Sequence, residues 1–192
     1  MTTYEIRTRR WTRAEYGRLI DLGLFQPGEP IELIGGQLMV SEPQGSGHFT
    51  TVGLVDDTLR AAFGPGWVVR AQGPLALDDE SEPEPDVAVV PGSRRDYLHG
   101  HPGLPVLTVE VAESSLSFDR RDKGSLYARA GLGDYWIVNL VDRVLEVYRK
   151  PVVDPAAPYG WRYASVTTLR PGDTVSPLAA PPARVPVADL LP

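Results

Sequence analysis

The chain has no cysteine, which excludes disulfides, thiolate metal sites and cysteine nucleophiles together. It has no apolar run of membrane-spanning length. Its opening, "MTTYEIRTRRWTRAEY", lacks the apolar stretch of a secretion signal. A soluble, cytoplasmic protein without membrane contact is the expectation. Positive charge is scarce: 19 Lys and Arg face 25 Asp and Glu, a formal net charge of −6. That balance argues against indiscriminate binding to nucleic acid. There is no internal repeat and no nucleotide-binding fingerprint, since "GPGW" at 64–67 has no phosphate-loop continuation. Ser114-Ser115 does not lie in a nucleophile-elbow pattern.

What is present fits one globular domain. At 192 residues the chain is long enough to bury about 70% of its unfolded surface without a staple. The 19 prolines and 19 glycines fall mainly at turns. The exception is the proline-rich tail over 171–192, read as loose packing or a partner contact. The expectation is a single domain over 1–170, with its core at about 31–150.

Residues 12–25 predict a helix capped by Thr12, with Tyr16, Leu19, Ile20 and Leu22 as a rough apolar stripe. "IELIGGQLMV" over 31–40 predicts a hairpin turned at Gly35-Gly36. Val52, Val55, Leu59 and Phe63 recur at helical spacing within 48–64. Residues 66–78 predict a strand, a bend and an extended piece. "DVAVV" and "PVLTVEVAE" then read as nearly all-apolar strands covered on both faces. Residues 117–133 predict a helix with Ser117 as cap, Asp119 and Asp122 near its positive end, and Gly131 as its stop. Two further strands, "DYWIVNL" and "RVLEVYRK", turn at Val141-Asp142, with Tyr135 and Trp136 buried. The fold class is mixed α/β.

Two acids interrupt this pattern. Asp86 opens Val87–Val90, and Glu110 stands inside an apolar strand. A carboxylate there is costly unless paired, hydrogen-bonded or bound to metal. Alternation puts Val106, Thr108, Glu110 and Ala112 on one face and Leu107, Val109 and Val111 on the other. If the two strands are neighbours, Asp86 and Glu110 converge, and a divalent cation would neutralise both. Hard oxygen donors suit Mg²⁺ or Mn²⁺. Lys123, Leu126, Tyr127 and Ala130 share a helix stripe, so the Lys123 amine can reach the pair. Metal-held water beside a lysine is equipment for phosphodiester hydrolysis.

"IELIGGQLM", "PDVAVV", "LTVEVAESS" and "DRRDKGSLYARAGLGDYWIVNL" together resemble the Uma2 family of restriction-endonuclease-like proteins, within the PD-(D/E)XK nuclease superfamily. The resemblance spans roughly residues 12–150. It implies a restriction-endonuclease-like αβββαβ core around a mixed sheet, with an N-terminal helix and hairpin. It also implies Mg²⁺ (or Mn²⁺) at Asp86 and Glu110, DNA as substrate, and a homodimer with one centre per strand. His48 and Glu32 match further family positions, His48 as a metal ligand and Glu32 as a catalytic acid. One departure stands out: Ala112 occupies the position where the superfamily places lysine, and Lys123 from the helix would replace it.

Each residue also has a plainer reading. Asp86 could be a strand-entry residue after proline, and Glu110 a structural salt bridge. Lys123 could be a solvated helix lysine, and His48 a helix-end residue. The corresponding alternative to an Mg-dependent endodeoxyribonuclease is a nuclease fold that binds DNA or regulates without cleaving. A third possibility is another phosphate-ester hydrolase using the same metal site. A Lys123 amine within hydrogen-bonding reach of the two acids separates catalysis from the binding module.

Overall fold

The computed structural model describes residues 8–26, 28–41 and 43–192. Thr12 caps helix α1 (Arg13–Asp21) through a reciprocal capping box with Glu15. The expected apolar stripe on α1 is not buried. The helix stops at Asp21, so Leu22 falls past its end at 74% exposure; Ile20 is 48% exposed, and only Tyr16 is buried. Strands β1 (Ile31–Ile34) and β2 (Gln37–Val40) form the expected hairpin. Gly35 and Gly36 turn it at φ +54° and +78°, a conformation that glycine adopts without penalty.

Helix α2 (Ser46–Phe63) buries Val52, Val55, Leu59 and Phe63 as their spacing predicts. It is followed by β3 (Trp67–Ala71), β4 (Val87–Pro91) and β5 (Leu107–Ala112). A helical segment comes next in three pieces: α3 (Leu116–Phe118), a π turn (Asp119–Lys123) and α4 (Gly124–Arg129). Its entry differs from expectation. Ser115, not Ser117, precedes the first turn, and the Ser115 hydroxyl donates to Asp119 instead of capping backbone. Gly131, at φ +82°, follows the helix end. Strands β6 (Asp134–Asn139) and β7 (Val144–Val153) are followed by β8 (Trp161–Leu169), for which the sequence raised no expectation.

These strands form one mixed sheet ordered β3-β4-β5-β6-β7-β8, antiparallel except for the parallel β5–β6 pair. The run α2-β3-β4-β5-helix-β6 is the αβββαβ order expected. On β5, Leu107, Val109 and Val111 pack with α2, while Ala112 packs with Tyr127, Tyr135, Ile137 and Tyr148 beneath the second helix. The proline-rich tail contributes to the core. It forms β9 (Thr174–Val175), β10 (Val185–Pro186) and a final 3-10 turn, and it buries Val175, Val185, Val187, Leu190 and Leu191 beside α2. Buried Asp134 and half-buried Arg149 tie it down: Asp134 accepts from the Leu178 N–H at 2.9 Å, and Arg149 donates to the Ser176 carbonyl at 2.7 Å.

Candidate active site

The acids converge because of sheet register. Val87 pairs with Val109 across the antiparallel β4–β5 ladder, and continuing that register sets Asp86 opposite Glu110. Asp86 lies just before β4, and its side chain extends the ladder: Oδ2 accepts the Val111 N–H at 2.8 Å. The Asp86 N–H approaches Glu110 Oε2 at 3.4 Å. Glu110 is 3% exposed at the centre of the sheet. Its Oε1 accepts from the Tyr127 hydroxyl at 2.9 Å and meets Lys123 Nζ at 3.2 Å.

Lys123 therefore points inward, with its side chain 8% exposed. Its ammonium also stands 3.5 Å from Glu32 Oε2. Glu32 comes from the hairpin and is held there by the Glu84 N–H at 2.9 Å and the Ser41 hydroxyl at 3.1 Å. The Leu33–Glu82 bridge anchors that strand against the segment leading into β4. His48, in the first turns of α2, places Nε2 3.2 Å from Asp86 Oδ2. Its Nδ1 is buried without a partner among the described residues. The nitrogen facing the acids is thus engaged as a partner of Asp86.

Sequence reasoning passed over two participants. Tyr127 lies on the same stripe as Lys123, and its hydroxyl marks the Glu110 contact. Asp119 is 2% exposed and lines the same cavity, with Ser115 donating to it at 2.6 Å. It had been read as a helix-dipole residue. The spacing Asp119-x-x-x-Lys123 on one helix turn, the D-x-x-x-K pattern that the family resemblance attaches to Lys123, is the signal that groups Asp119 with it. Ala112 is fully buried in an apolar cluster, and the lysine beside Glu110 is Lys123, from the helix above.

Together these groups line a cavity of about 400 Å³ between the hairpin, the end of β4 and the π turn. Its carboxyls are Glu32, Glu84, Asp86, Glu110, Glu113 and Asp119; its basic groups are Lys123 and His48. The imbalance shows in the ionisation. Burial lifts Glu110 well above the ordinary glutamate value, and Asp119, Asp86 and Glu32 lift it further against the pull of Lys123. Asp119 is also raised, mainly by burial. Burial alone would lower the Lys123 ammonium, but Glu110, Glu32, Asp119 and Asp86 override it and hold the group raised. The hydrogen bond to Asp86 raises His48 against its burial. Hard oxygen donors with uncompensated negative charge suit a small divalent cation. Among the described residues no three His, Asp or Glu side chains surround a common point. Mg²⁺ does not require that, because it keeps several waters and takes one or two carboxylates.

No helix among the described residues is long and apolar enough to cross a membrane. No curated protein matches the chain. A crystal structure described as that of a "putative nuclease belonging to DUF820", from Anabaena variabilis ATCC 29413, is similar in fold at a TM-score of 0.66. The likeness covers 90% of this chain and 96% of that one at 17% identity. The Uma2 family model, described as "Putative restriction endonuclease", matches residues 13–188. The match takes in the hairpin, the whole sheet and most of the tail, and the chain belongs to the Uma2 family.

Proposed function

We propose that this protein is a metal-dependent endonuclease that hydrolyses DNA phosphodiester bonds in the cleft at Asp86 and Glu110. One observation carries the reading. Asp86, Glu110 and Lys123 come from three separate elements and meet inside one cavity, with the Lys123 ammonium 3.2 Å from Glu110. Family membership and the fold of the Anabaena nuclease support it.

Asp86 and Glu110 would hold Mg²⁺ or Mn²⁺. A cation bound there would lower the pKa of a coordinated water and offset the charge of the reacting phosphate. The remaining roles belong to the chain. Lys123 keeps its proton because the surrounding carboxylates raise its pKa. From 3.2 Å off Glu110 its ammonium would orient the attacking water or stabilise the pentacovalent phosphate. Tyr127, through its bond to Glu110 Oε1, fixes that carboxyl in place. Glu32 holds the ammonium from the hairpin side. His48 orients Asp86, with Nδ1 as its remaining nitrogen for a ligand. Cutting both strands of a duplex calls for two copies of this site, hence a homodimer.

A second reading, a nuclease-fold module that binds DNA or regulates without cleaving, draws on one observation. Both Glu110 oxygens and the Lys123 ammonium already have protein partners. Calorimetry with Mg²⁺ and Mn²⁺ on wild type and Asp86→Ala, with plasmid cleavage scored on the same samples, separates the two. Metal binding and cleavage that both vanish in the variant support the nuclease. Metal binding without cleavage favours the module. No metal binding in wild type sinks the metal site altogether.

A further inference from the structure

The π turn that carries Asp119 and Lys123 is anchored on its other side by a second buried acid. Glu110 pairs with Ile137 across β5–β6, and Ile137 pairs with Glu146 across β6–β7. Glu146 thus lies in the same cross-strand row as Glu110, two strands away, under the same helix. It is 4% exposed. Oε2 accepts from Arg120 Nε at 3.0 Å and from the Tyr148 hydroxyl at 2.7 Å. Oε1 accepts from Arg120 Nη2 and, at 2.9 Å, from Asn139. Asn139 is itself tied to Asp142 in the β6–β7 turn by two bonds of 2.9 Å. Glu146 is therefore a rigid, fully satisfied socket, and Arg120 is the plug.

Arg120 sits between Asp119 and Lys123 in the π turn. Such a turn inserts a residue relative to a regular α-helix and needs local support. Removing the insertion would rotate Asp119 and Arg120 by about 100° relative to Lys123, the angle of one residue step. The i→i+5 bond from the Gly124 N–H to the Asp119 carbonyl and the Tyr135 hydroxyl at 3.1 Å hold one side. Arg120 on Glu146 holds the other. The next residue, Arg121, is the contrast: its side chain is 72% exposed and it pairs with adjacent Asp122.

We infer that Arg120 and Glu146 are positioning residues for the cleft: their bidentate bond selects the π phase of the helix and so seats the Lys123 ammonium against Glu110. The catalytic meaning of this rests on the proposed nuclease reading, but the positioning itself is measurable without metal or DNA. The chain has two lysines, Lys123 and Lys150, and Lys150 is exposed. In a Lys150→Arg background, ¹⁵N-lysine NMR reports on the Lys123 ammonium alone. Glu146→Gln should speed its exchange with solvent about tenfold or more, well below the melting temperature. In the same variant Mn²⁺ affinity by calorimetry should fall about tenfold, the usual cost of losing an outer-shell support. A purely structural role would lower the melting temperature and leave a single ammonium's exchange untouched. A folded Glu146→Gln protein with wild-type exchange overturns the inference. If Glu146→Gln does not fold, Arg120→Gln gives the same readout from the more exposed side of the pair. Absence of Mn²⁺ binding in wild type would instead strike the nuclease reading and leave the exchange result to stand by itself.

Discussion

Glu110 and Glu146 are both glutamates on one row of the sheet, both nearly inaccessible, yet they ionise in opposite directions. Burial pushes both up. At Glu146, hydrogen bonds from Arg120, Tyr148 and Asn139 outweigh it and hold the carboxyl below its ordinary value. At Glu110, Lys123 pulls down, but Asp119, Asp86 and Glu32 crowd the same space and burial prevails. Burial alone therefore does not tell these two acids apart. What distinguishes them is whether the neighbours complete the charge. Glu146 is complete, whereas the Glu110 cluster stays short of positive charge, which the proposed cation would supply.

Substitutions can break this contrast, and the largest effect should come from Lys123→Met. It leaves Glu110 and Glu32 without their cation, and a buried pair broken this way costs about 3–5 kcal/mol. Urea denaturation measures it, and a loss below about 1 kcal/mol would mean that the cluster relieves itself by protonation. Next, Glu146→Gln should cost about 1–3 kcal/mol, the price of leaving buried donors poorly matched. Glu110→Gln should cost less than Lys123→Met, because Lys123 keeps Glu32 as a partner at 3.5 Å while the crowded carboxyls lose one member. Equal losses at both positions would erase the distinction drawn between them.

The pH dependence sharpens it further. Glu146 has a depressed folded pKa, so its stabilisation is present above the ordinary value of 4.5 and is lost as pH falls through the folded value. Glu110 has a raised folded pKa, so its contribution is greatest below 4.5 and is lost as pH rises through the folded value. Urea midpoints followed across the acid and neutral range should therefore flatten on the acid side in Glu146→Gln and on the rising side in Glu110→Gln. The smallest effect belongs to Arg121→Ala, within about 0.5 kcal/mol, since its pair with Asp122 is solvated.

Much of this geometry was legible along the chain. The alternation of β5 assigned Glu110 to one face and Leu107, Val109 and Val111 to the other, and the structure keeps that division. The α2 stripe and the Gly35-Gly36 turn were equally plain, because each depends on residues a few positions apart. Strand β8 escaped notice because "WRYASVTTL" buries little: its accessibility swings irregularly, and Tyr163 is its one buried residue. Proline and alanine suggest loose packing for the tail over 171–192. Its order comes from Asp134 and Arg149, more than 20 positions upstream. Asp119 was given a local role because helix-end acids usually have one. Its inward placement depends on a π turn that no single-helix pattern reveals.

The sequence by itself determined the strand faces and the identity of the acids set against apolar surroundings, since hydrophobic periodicity and the cost of burying charge are local properties; the αβββαβ order came with the family resemblance. Only the tertiary structure decided that Asp86 and Glu110 meet, that Lys123 turns inward and that Glu146 locks the helix phase. Those facts follow from register across neighbouring strands and from one inserted residue in a helix. Of the carboxylates around Lys123, Asp119 is local, but Glu32, Asp86 and Glu110 lie elsewhere in the chain and become its neighbours only when it folds.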